Sequence, residues 1–104
     1  MKRGEIWWAE MPLPAGKRPV VLVSRESSYA IRMSVTVAEV SRTIRGIATE
    51  VALGPRDGLP AKCVANTDNL VTIPKTWLTR CIAPLSLSKS KALDEALRFA
   101  LGLS

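Results

Sequence analysis

The chain of 104 residues is 47% apolar and 23% charged, a balance typical of a soluble globular domain that excludes disordered and fibrous proteins. Its 15 Lys and Arg against nine Asp and Glu give a net charge of +6, which favours an anionic partner such as nucleic acid, with plain solubility as the alternative. We expect one cytoplasmic domain over residues 1–104, because no apolar run is long enough to cross a membrane and the basic start lacks a signal-peptide core.

The first half of the chain predicts four β-strands. EIWWAE, residues 5–10, is a short aromatic strand that ends in the Pro- and Gly-containing segment MPLPAGK. PVVLVS, residues 19–24, lacks polar alternation, so both of its faces must be covered, by a closed barrel or by a helix lying across a sheet. Residues 33–41 and 49–53 are rich in β-branched side chains, and we expect them to pair as a hairpin.

The second half predicts turns, two short strands and one helix. GPRDGLP is rich in the Gly, Pro and Asp residues that form turns. Two short strands follow it, KCVAN and LVTI, with NTDN between them and Pro74 at their end. SKSKALDEALRFALGL has helical periodicity, with Ser88 as N-cap, Gly102 as stop and an Asp94–Arg98 pair on its surface. The sequence therefore predicts a mainly β (α+β) domain: a strongly bent antiparallel sheet or small β-barrel with a C-terminal α-helix packed on it.

Positive charge is concentrated between residues 17 and 45, where six Lys and Arg face two Glu. Five of the six are arginines, whose planar fork of donors matches phosphate better than an ammonium does. A merely solvated surface has no reason to gather one sign of charge in one stretch, so this pattern favours an RNA or DNA surface.

The residue types limit the chemistry. The chain has no His, which removes His-based triads and zinc sites, and its two Cys are expected to be reduced thiols in or near the core. No Gly-rich phosphate loop is present, and the sparse carboxylates argue against metal catalysis, so we expect neither a cofactor nor a metal. Arginines and hydroxyls remain, which can hold a phosphodiester and stabilise the charge that develops on it.

Candidate site residues lie at the strand ends. Arg18, where the irregular loop meets the buried strand, is a candidate phosphate ligand or a plain surface arginine. If the third strand continues, Ser41 and Thr43 share one face and Arg42 lies on the other; the alternative is that the hydroxyls only end the strand. Glu39 has the parity of the hydroxyls, although a solvated surface carboxylate is the simpler interpretation.

Aromatic and amide residues offer base contacts. Trp7 and Trp8 should point to opposite faces, one into the core and one toward a surface where bases could stack. The side chains of NTDN, Asp68 among them, can bulge toward a groove and read base edges, or can simply form a turn.

Taken together, RGEIWWAE, GKRPVVLVS, VTVAEVSRTIRG, NTDNLVTIPK and the C-terminal helix resemble the MazF/PemK toxin family of toxin–antitoxin systems over nearly the whole chain. The resemblance implies an SH3-like barrel, a homodimer, a MazE/PemI-like antitoxin and metal-independent endoribonuclease activity on short motifs of single-stranded RNA. Cleavage in this family proceeds by attack of the ribose 2′-OH on the adjacent phosphate, which leaves 2′,3′-cyclic phosphate and 5′-OH ends.

The family's functional residues carry over to a few positions. The family's arginine before the proline corresponds to Arg18, and its catalytic threonine falls on Ser41, with Thr43 two positions further, so the hydroxyl is one of these two. Auxiliary RNA contacts are expected from four more residues: Lys17, Arg42, Arg45 and Asp68. The loop before Arg18 is shorter than in relatives that carry Gly-Ser-Glu-Gln there. Two other functions stay open, a CcdB-like toxin that poisons gyrase and a non-catalytic RNA-binding barrel.

Overall fold

The computed structural model describes all residues, 1–104, as one curled antiparallel sheet of six strands with one α-helix. The elements are β1 (Glu5–Glu10), β2 (Lys17–Leu22), β3 (Ser34–Ser41), β4 (Glu50–Leu53), β5 (Cys63–Pro74), β6 (Leu78–Pro84) and α1 (Leu87–Leu101). The strand order is β4-β5-β3-β2-β1-β6, with β4 and β6 as unpaired edges, so the sheet is a half-barrel. The predicted fold class is confirmed.

Strand β2 lies between two hydrophobic clusters, as its unbroken apolar sequence predicts. Val21 belongs to a cluster that includes Leu93 and Ala96 of α1, on what we call the helix face of the sheet. Val20 and Leu22 belong to a second cluster on the opposite face. Side chains in a strand alternate between faces, so a strand with apolar residues at every position must be covered on both.

Tyr29 helps to close the opposite face. It belongs to the second cluster, is 6% exposed, and its hydroxyl donates to the Ser24 carbonyl oxygen at 2.9 Å. Burial raises the pKa of Tyr29 to about 12, since the phenolate would lose its hydration there. The segment between β2 and β3 therefore acts as a cover for the sheet.

Three strand predictions are wrong. β2 begins at Lys17 and ends at Leu22, so Lys17 and Arg18 lie inside the strand, paired with β1. β3 and β4 do not pair as a hairpin, because β5 lies between them and pairs with both. KCVAN and LVTI form one strand, β5, because its NTDN segment forms a bulge: Ala38 of β3 pairs with Leu70, but the next residue, Glu39, pairs with Asn66.

The helix differs from its prediction at its beginning and on its surface. Ser86, not Ser88, is the N-cap, and its hydroxyl accepts the Lys89 N–H at 3.2 Å. Asp94 pairs with Arg3 at 2.9 Å and not with Arg98. Gly102 ends the helix in the left-handed conformation with φ of 68°, as predicted. No helix of this protein has the length and apolarity that a membrane span requires.

Candidate functional site

Arg18 is held at the end of the sheet where β2 begins. Its cross-strand partner is Ala9, and both Ala9 and Val20 belong to the opposite-face cluster, so Arg18 lies on that face. The side chain is exposed, and its Nε donates to the Ala15 carbonyl oxygen of the preceding loop at 3.3 Å. This contact orients the guanidinium and leaves its two terminal amino groups free for a ligand.

Ser41 lies in the neighbouring strand at the same end of the sheet. The β2–β3 register pairs Val20 with Glu39 and Val21 with Ala38; extended by two residues, it sets Arg18 opposite Ser41. The hydrogen-bonded ladder between β2 and β3 reaches only as far as Val20. The preceding residue, Pro19, has no N–H to donate. An arginine and a hydroxyl thus occupy one face at an open sheet end, which suits a phosphate.

Thr43 lies beyond the strand, because β3 ends at Ser41. The condition for Ser41 and Thr43 to share a strand face is therefore not met. The two residues are still linked, since Ser41 Oγ accepts the Thr43 N–H at 3.1 Å. Only the backbone of Thr43 is fixed in this way, and its side chain is exposed.

The segment after β3 is ordered by one carboxylate. Glu50 accepts the backbone N–H of Arg45 at 3.0 Å and that of Gly46 at 2.9 Å. These bonds shape the loop that carries Arg42 and Arg45, both exposed. Charge on this loop lies next to Ser41 in sequence and adds to the positive field at the site.

Lys17 lies on the other face of β2. Its ammonium is 4.9 Å from the centre of the Trp8 ring, a cation–π contact. Trp8 borders a cavity of about 210 Å³ at the same sheet end, lined by Trp8, Pro19, Val40, Ser41, Arg42, Pro60, Ala61 and Cys63. Trp7 points the other way, against the opposite-face cluster, so the two tryptophans lie on opposite faces as expected, but both are half-buried.

Glu39 and Asp68 flank the site less closely. Glu39 is half-buried and shares its strand parity with Ser41. Asp68 is exposed in the β5 bulge, and its N–H donates to Asn66 Oδ1 at 2.9 Å. Thr67, between Asn66 and Asp68 in the chain, turns inward. Its hydroxyl contacts the carbonyl oxygens of Thr49 at 2.7 Å and Ala96 at 3.2 Å. The NTDN segment thus both bulges and anchors the helix to the sheet.

Both cysteines are free thiols, Cys63 buried and Cys81 half-buried, as expected from the sequence. Burial raises the pKa of the Cys63 thiol, and the nearby Asp57 raises it further. Burial likewise raises the pKa of Cys81. Cys63 borders the Trp8 cavity as a neutral, weakly polar wall. No three Cys, Asp or Glu side chains gather closely enough to hold a metal ion.

A second surface, which the sequence did not predict, lies at the other end of β3. We call it the β3–α1 groove; its volume is about 1170 Å³, and residues of the segment before β3, of β3, of β5 and of the end of α1 line it. Four large apolar side chains on it are exposed: Ile31 (75%), Met33 (80%), Leu101 (56%) and Leu103 (60%). Four arginines also border it: Arg3, Arg25, Arg32 and Arg98.

The basic stretch of residues 17–45 is therefore divided between two places. Lys17, Arg18, Arg42 and Arg45 lie at or next to the sheet end that carries Ser41. Arg25 and Arg32 border the β3–α1 groove, beside the beginning of β3. The only sequence signal for the groove is the apolar pair Ile31 and Met33, of which Ile31 precedes the predicted strand and Met33 is its first predicted residue.

Comparison with known proteins gives a consistent result. The profile of a family described as PemK-like, MazF-like toxin of type II toxin-antitoxin system matches residues 2–101. The chain is 35% identical over 103 residues to the probable endoribonuclease MazF5 of Mycobacterium tuberculosis, covering 98% of this chain and 94% of that protein.

Two solved structures superpose closely on this fold. Mycobacterium tuberculosis toxin MazF-mt6 superposes with a TM-score of 0.88 at 37% identity, over 96% of this chain and 98% of that one. An endoribonuclease in complex with its cognate antitoxin, from a mycobacterial species, superposes with a TM-score of 0.88 at 30% identity, over 100% of this chain and 97% of that one. Sequence and fold thus agree over nearly the full length.

Proposed function

The chain belongs to the PemK-like, MazF-like toxins of type II toxin–antitoxin systems, and we propose that it cuts single-stranded RNA at the sheet end where β2 begins and β3 ends. It is the toxin of such a system and an endoribonuclease, a hydrolase of RNA phosphodiester bonds, like the relatives it matches. The observation that supports this site is the β2–β3 register, which pairs Val20 with Glu39. Extended by two residues past the end of the ladder, this register would set Arg18 opposite Ser41.

The chemistry we propose needs no metal and no histidine. The ribose 2′-oxygen attacks the adjacent phosphorus as the 2′-OH loses its proton, and the bond from phosphorus to the 5′-oxygen breaks as that oxygen gains one. The products are a 2′,3′-cyclic phosphate and a 5′-OH. The protein's main tasks are to hold the phosphate and to stabilise the extra negative charge of its five-coordinate state.

Arg18 is suited to the charge-stabilising task. Its guanidinium stays protonated at any physiological pH, so it is a poor base but a strong double donor to phosphate oxygens. Ser41 is our first choice for the hydroxyl that donates to the same phosphate, and Thr43 is the second. Lys17, Arg42, Arg45 and Asp68 are proposed as contacts to the flanking nucleotides, the cations to phosphates and the carboxylate to a base edge.

The antitoxin inhibits the chain by covering these cations. A partner with an acidic or apolar disordered segment would be attracted to a toxin of net charge +6 and would order itself along the positive surface. Toxin, antitoxin and target RNA would then meet in the cytoplasm. Solved relatives include an endoribonuclease bound to its cognate antitoxin.

We also propose that two copies of this chain associate through the β3–α1 groove. Exposed apolar side chains that line one groove mark an interaction surface, because monomers rarely leave such patches uncovered. Four arginines border this groove, and arginine is enriched at protein interfaces. The groove lies at the far end of β3 from Ser41, so association would leave the RNA site open.

The test of the cleavage site is direct. Purified protein is incubated with long single-stranded RNA in EDTA, and the new ends are mapped. We expect discrete cuts with 2′,3′-cyclic phosphate, and Arg18→Ala should lower kcat by about 10²- to 10³-fold, the usual cost of losing one transition-state donor. Arg56→Ala, at an exposed arginine in the turn after β4, is the matched control and should cut at the wild-type rate.

Contrary results have clear meanings. RNA left intact across many sequences by well-folded protein would overturn the cleavage proposal. If the protein leaves RNA intact but inhibits gyrase, the CcdB-like alternative is favoured. If it binds RNA but neither cuts RNA nor inhibits gyrase, the non-catalytic RNA-binding barrel is favoured. Equal loss from Arg18→Ala and Arg56→Ala would show that Arg18 acts only through the general field.

A further inference from the structure

The cavity beside Trp8 has features of a binding site for one flat, unpaired ring. Its volume is about 210 Å³. This is smaller than the roughly 300–1,000 Å³ of pockets for drug-sized ligands, so it can take one base but not a nucleotide chain. Apolar walls form most of it, among them the Trp8 ring, Pro19 and Val40.

We propose that this cavity holds one base of the RNA substrate, the base that adjoins the cleaved phosphate, stacked on Trp8. The inference rests on the proposed cleavage site, since Ser41 belongs both to that site and to the cavity rim. Arg18 and Ser41 follow the parity of the opposite face of the sheet, whereas Trp8 and Lys17 lie on the helix face. A nucleotide that straddles the end of the sheet sets its phosphate on one face and its base on the other.

Lys17 is compatible with this arrangement. Its ammonium covers the Trp8 ring at 4.9 Å, a contact between two partly solvated groups. An exposed cation–π pair is weaker than the stacking of a base on an aromatic ring, so this contact does not prevent a base from stacking on Trp8. The long side chain of Lys17 then remains beside the base, within reach of the phosphate that follows it.

One charged side chain on the rim indicates which base fits. Arg42 borders the cavity, and its guanidinium can only donate, while Cys63 is a neutral thiol whose pKa is raised by burial. A rim whose one charged side chain only donates favours a base edge with acceptors, such as O4 of uracil or O6 of guanine, over the amino groups at C4 of cytosine or C6 of adenine. The cavity therefore contributes to the sequence preference of the enzyme.

The experiment pairs a change in the protein with a change in the RNA. Oligonucleotides that carry the mapped cleavage motif are made with one abasic nucleotide at each position in turn, and kcat/KM is measured for each. In the wild type, we expect the abasic change next to the cut bond to lower kcat/KM about 10-fold or more, the size of one base–aromatic stack. Trp8→Leu should slow the intact RNA by a similar factor and then lose nothing further at that abasic position.

Two further variants make the outcome decisive. Trp77→Leu changes another half-buried tryptophan, which packs on the opposite-face cluster and does not line the cavity, and should keep the full abasic penalty. Ala61→Leu narrows the cavity without touching Trp8 and should remove the penalty even where Trp8→Leu fails to fold. If these cavity variants keep the wild-type penalty at every position, the base site is wrong while cleavage stands. If the wild type cuts no RNA, the proposed function itself fails.

Discussion

At the scale of single residues, the alternation of β2 has a functional result. Lys17 and Arg18 are adjacent, yet they lie on opposite faces of the sheet, one over Trp8 and the other beside the opposite-face cluster. A single strand end therefore offers a cation to each side of a substrate that crosses it. Arg18 is recognisable from the sequence by the proline that follows it. Its face is not, because the predicted strand begins at Pro19 and the observed one begins two residues earlier, at Lys17.

The choice between Ser41 and Thr43 also belongs to this scale. Ser41 Oγ already accepts the Thr43 N–H, so its own hydrogen is free to donate, whereas Thr43 is exposed beyond the strand. We predict that Ser41→Ala lowers kcat about 10²-fold and that Thr43→Ala changes it by less than about threefold, within the range of ordinary surface substitutions. Rates are measured on the mapped RNA motif.

Ser41→Thr is the matched control, because it keeps a hydroxyl for both the phosphate and the Thr43 N–H, and it should retain most of the activity. The reverse order, with Thr43→Ala the more damaging change, would transfer the catalytic hydroxyl to Thr43. If all three variants cut RNA at the wild-type rate, neither hydroxyl takes part in the mechanism.

At the scale of elements, the sequence was informative where one local pattern was enough. β1, β3 and α1 were predicted nearly in full because aromatic, β-branched and helical patterns are continuous there. β5 was divided in the prediction because NTDN reads as a turn, while in the fold Thr67 turns inward and bonds to the helix carbonyl of Ala96. β6 was missed because Arg80 and Pro84 weaken its pattern, and only pairing with β1 makes it a strand.

The beginning of the helix gives a stability prediction. Ser86 accepts the Lys89 N–H, one of the first helical donors that otherwise lack a partner. Ser86→Ala should lower the free energy of unfolding by about 1 kcal/mol, the usual cost of losing a serine N-cap. The free energy is measured by urea denaturation, and cleavage by the folded variant should be unchanged because α1 contributes nothing to the sheet end with Ser41.

Ser88→Ala is the control for this position, since Ser88 is the serine that the sequence suggested as N-cap. Its effect should stay within about 0.5 kcal/mol, as for other exposed substitutions. A larger loss from Ser88 than from Ser86 would return the N-cap to the predicted residue.

At the scale of the whole molecule, the β3–α1 groove gives a prediction about assembly. Its lining comes from segments far apart in sequence, from Arg3 to Leu103, which is why no local pattern revealed it. If two copies associate there, Met33→Glu should convert a dimer to a monomer, because it sets a carboxylate on the apolar surface that association covers. Molar mass is measured by light scattering after size-exclusion chromatography.

Leu87→Glu is the matched control, an apolar residue of similar exposure (75%) that begins α1 and does not line the groove. It should leave the mass unchanged. A monomeric wild type would show that the two copies do not associate. A Met33→Glu variant that remains dimeric would show that they associate through another surface.

The division of the basic stretch between the two ends of β3 has an electrostatic consequence. RNA carries condensed counterions, and binding releases them only where phosphates meet protein cations. Of the six cations between residues 17 and 45, Arg25 and Arg32 border the groove and are remote from the sheet end with Ser41. The few cations around Ser41, and not the net charge of +6, therefore determine how many ions RNA binding releases. They also determine the entropy that the solution gains from this release.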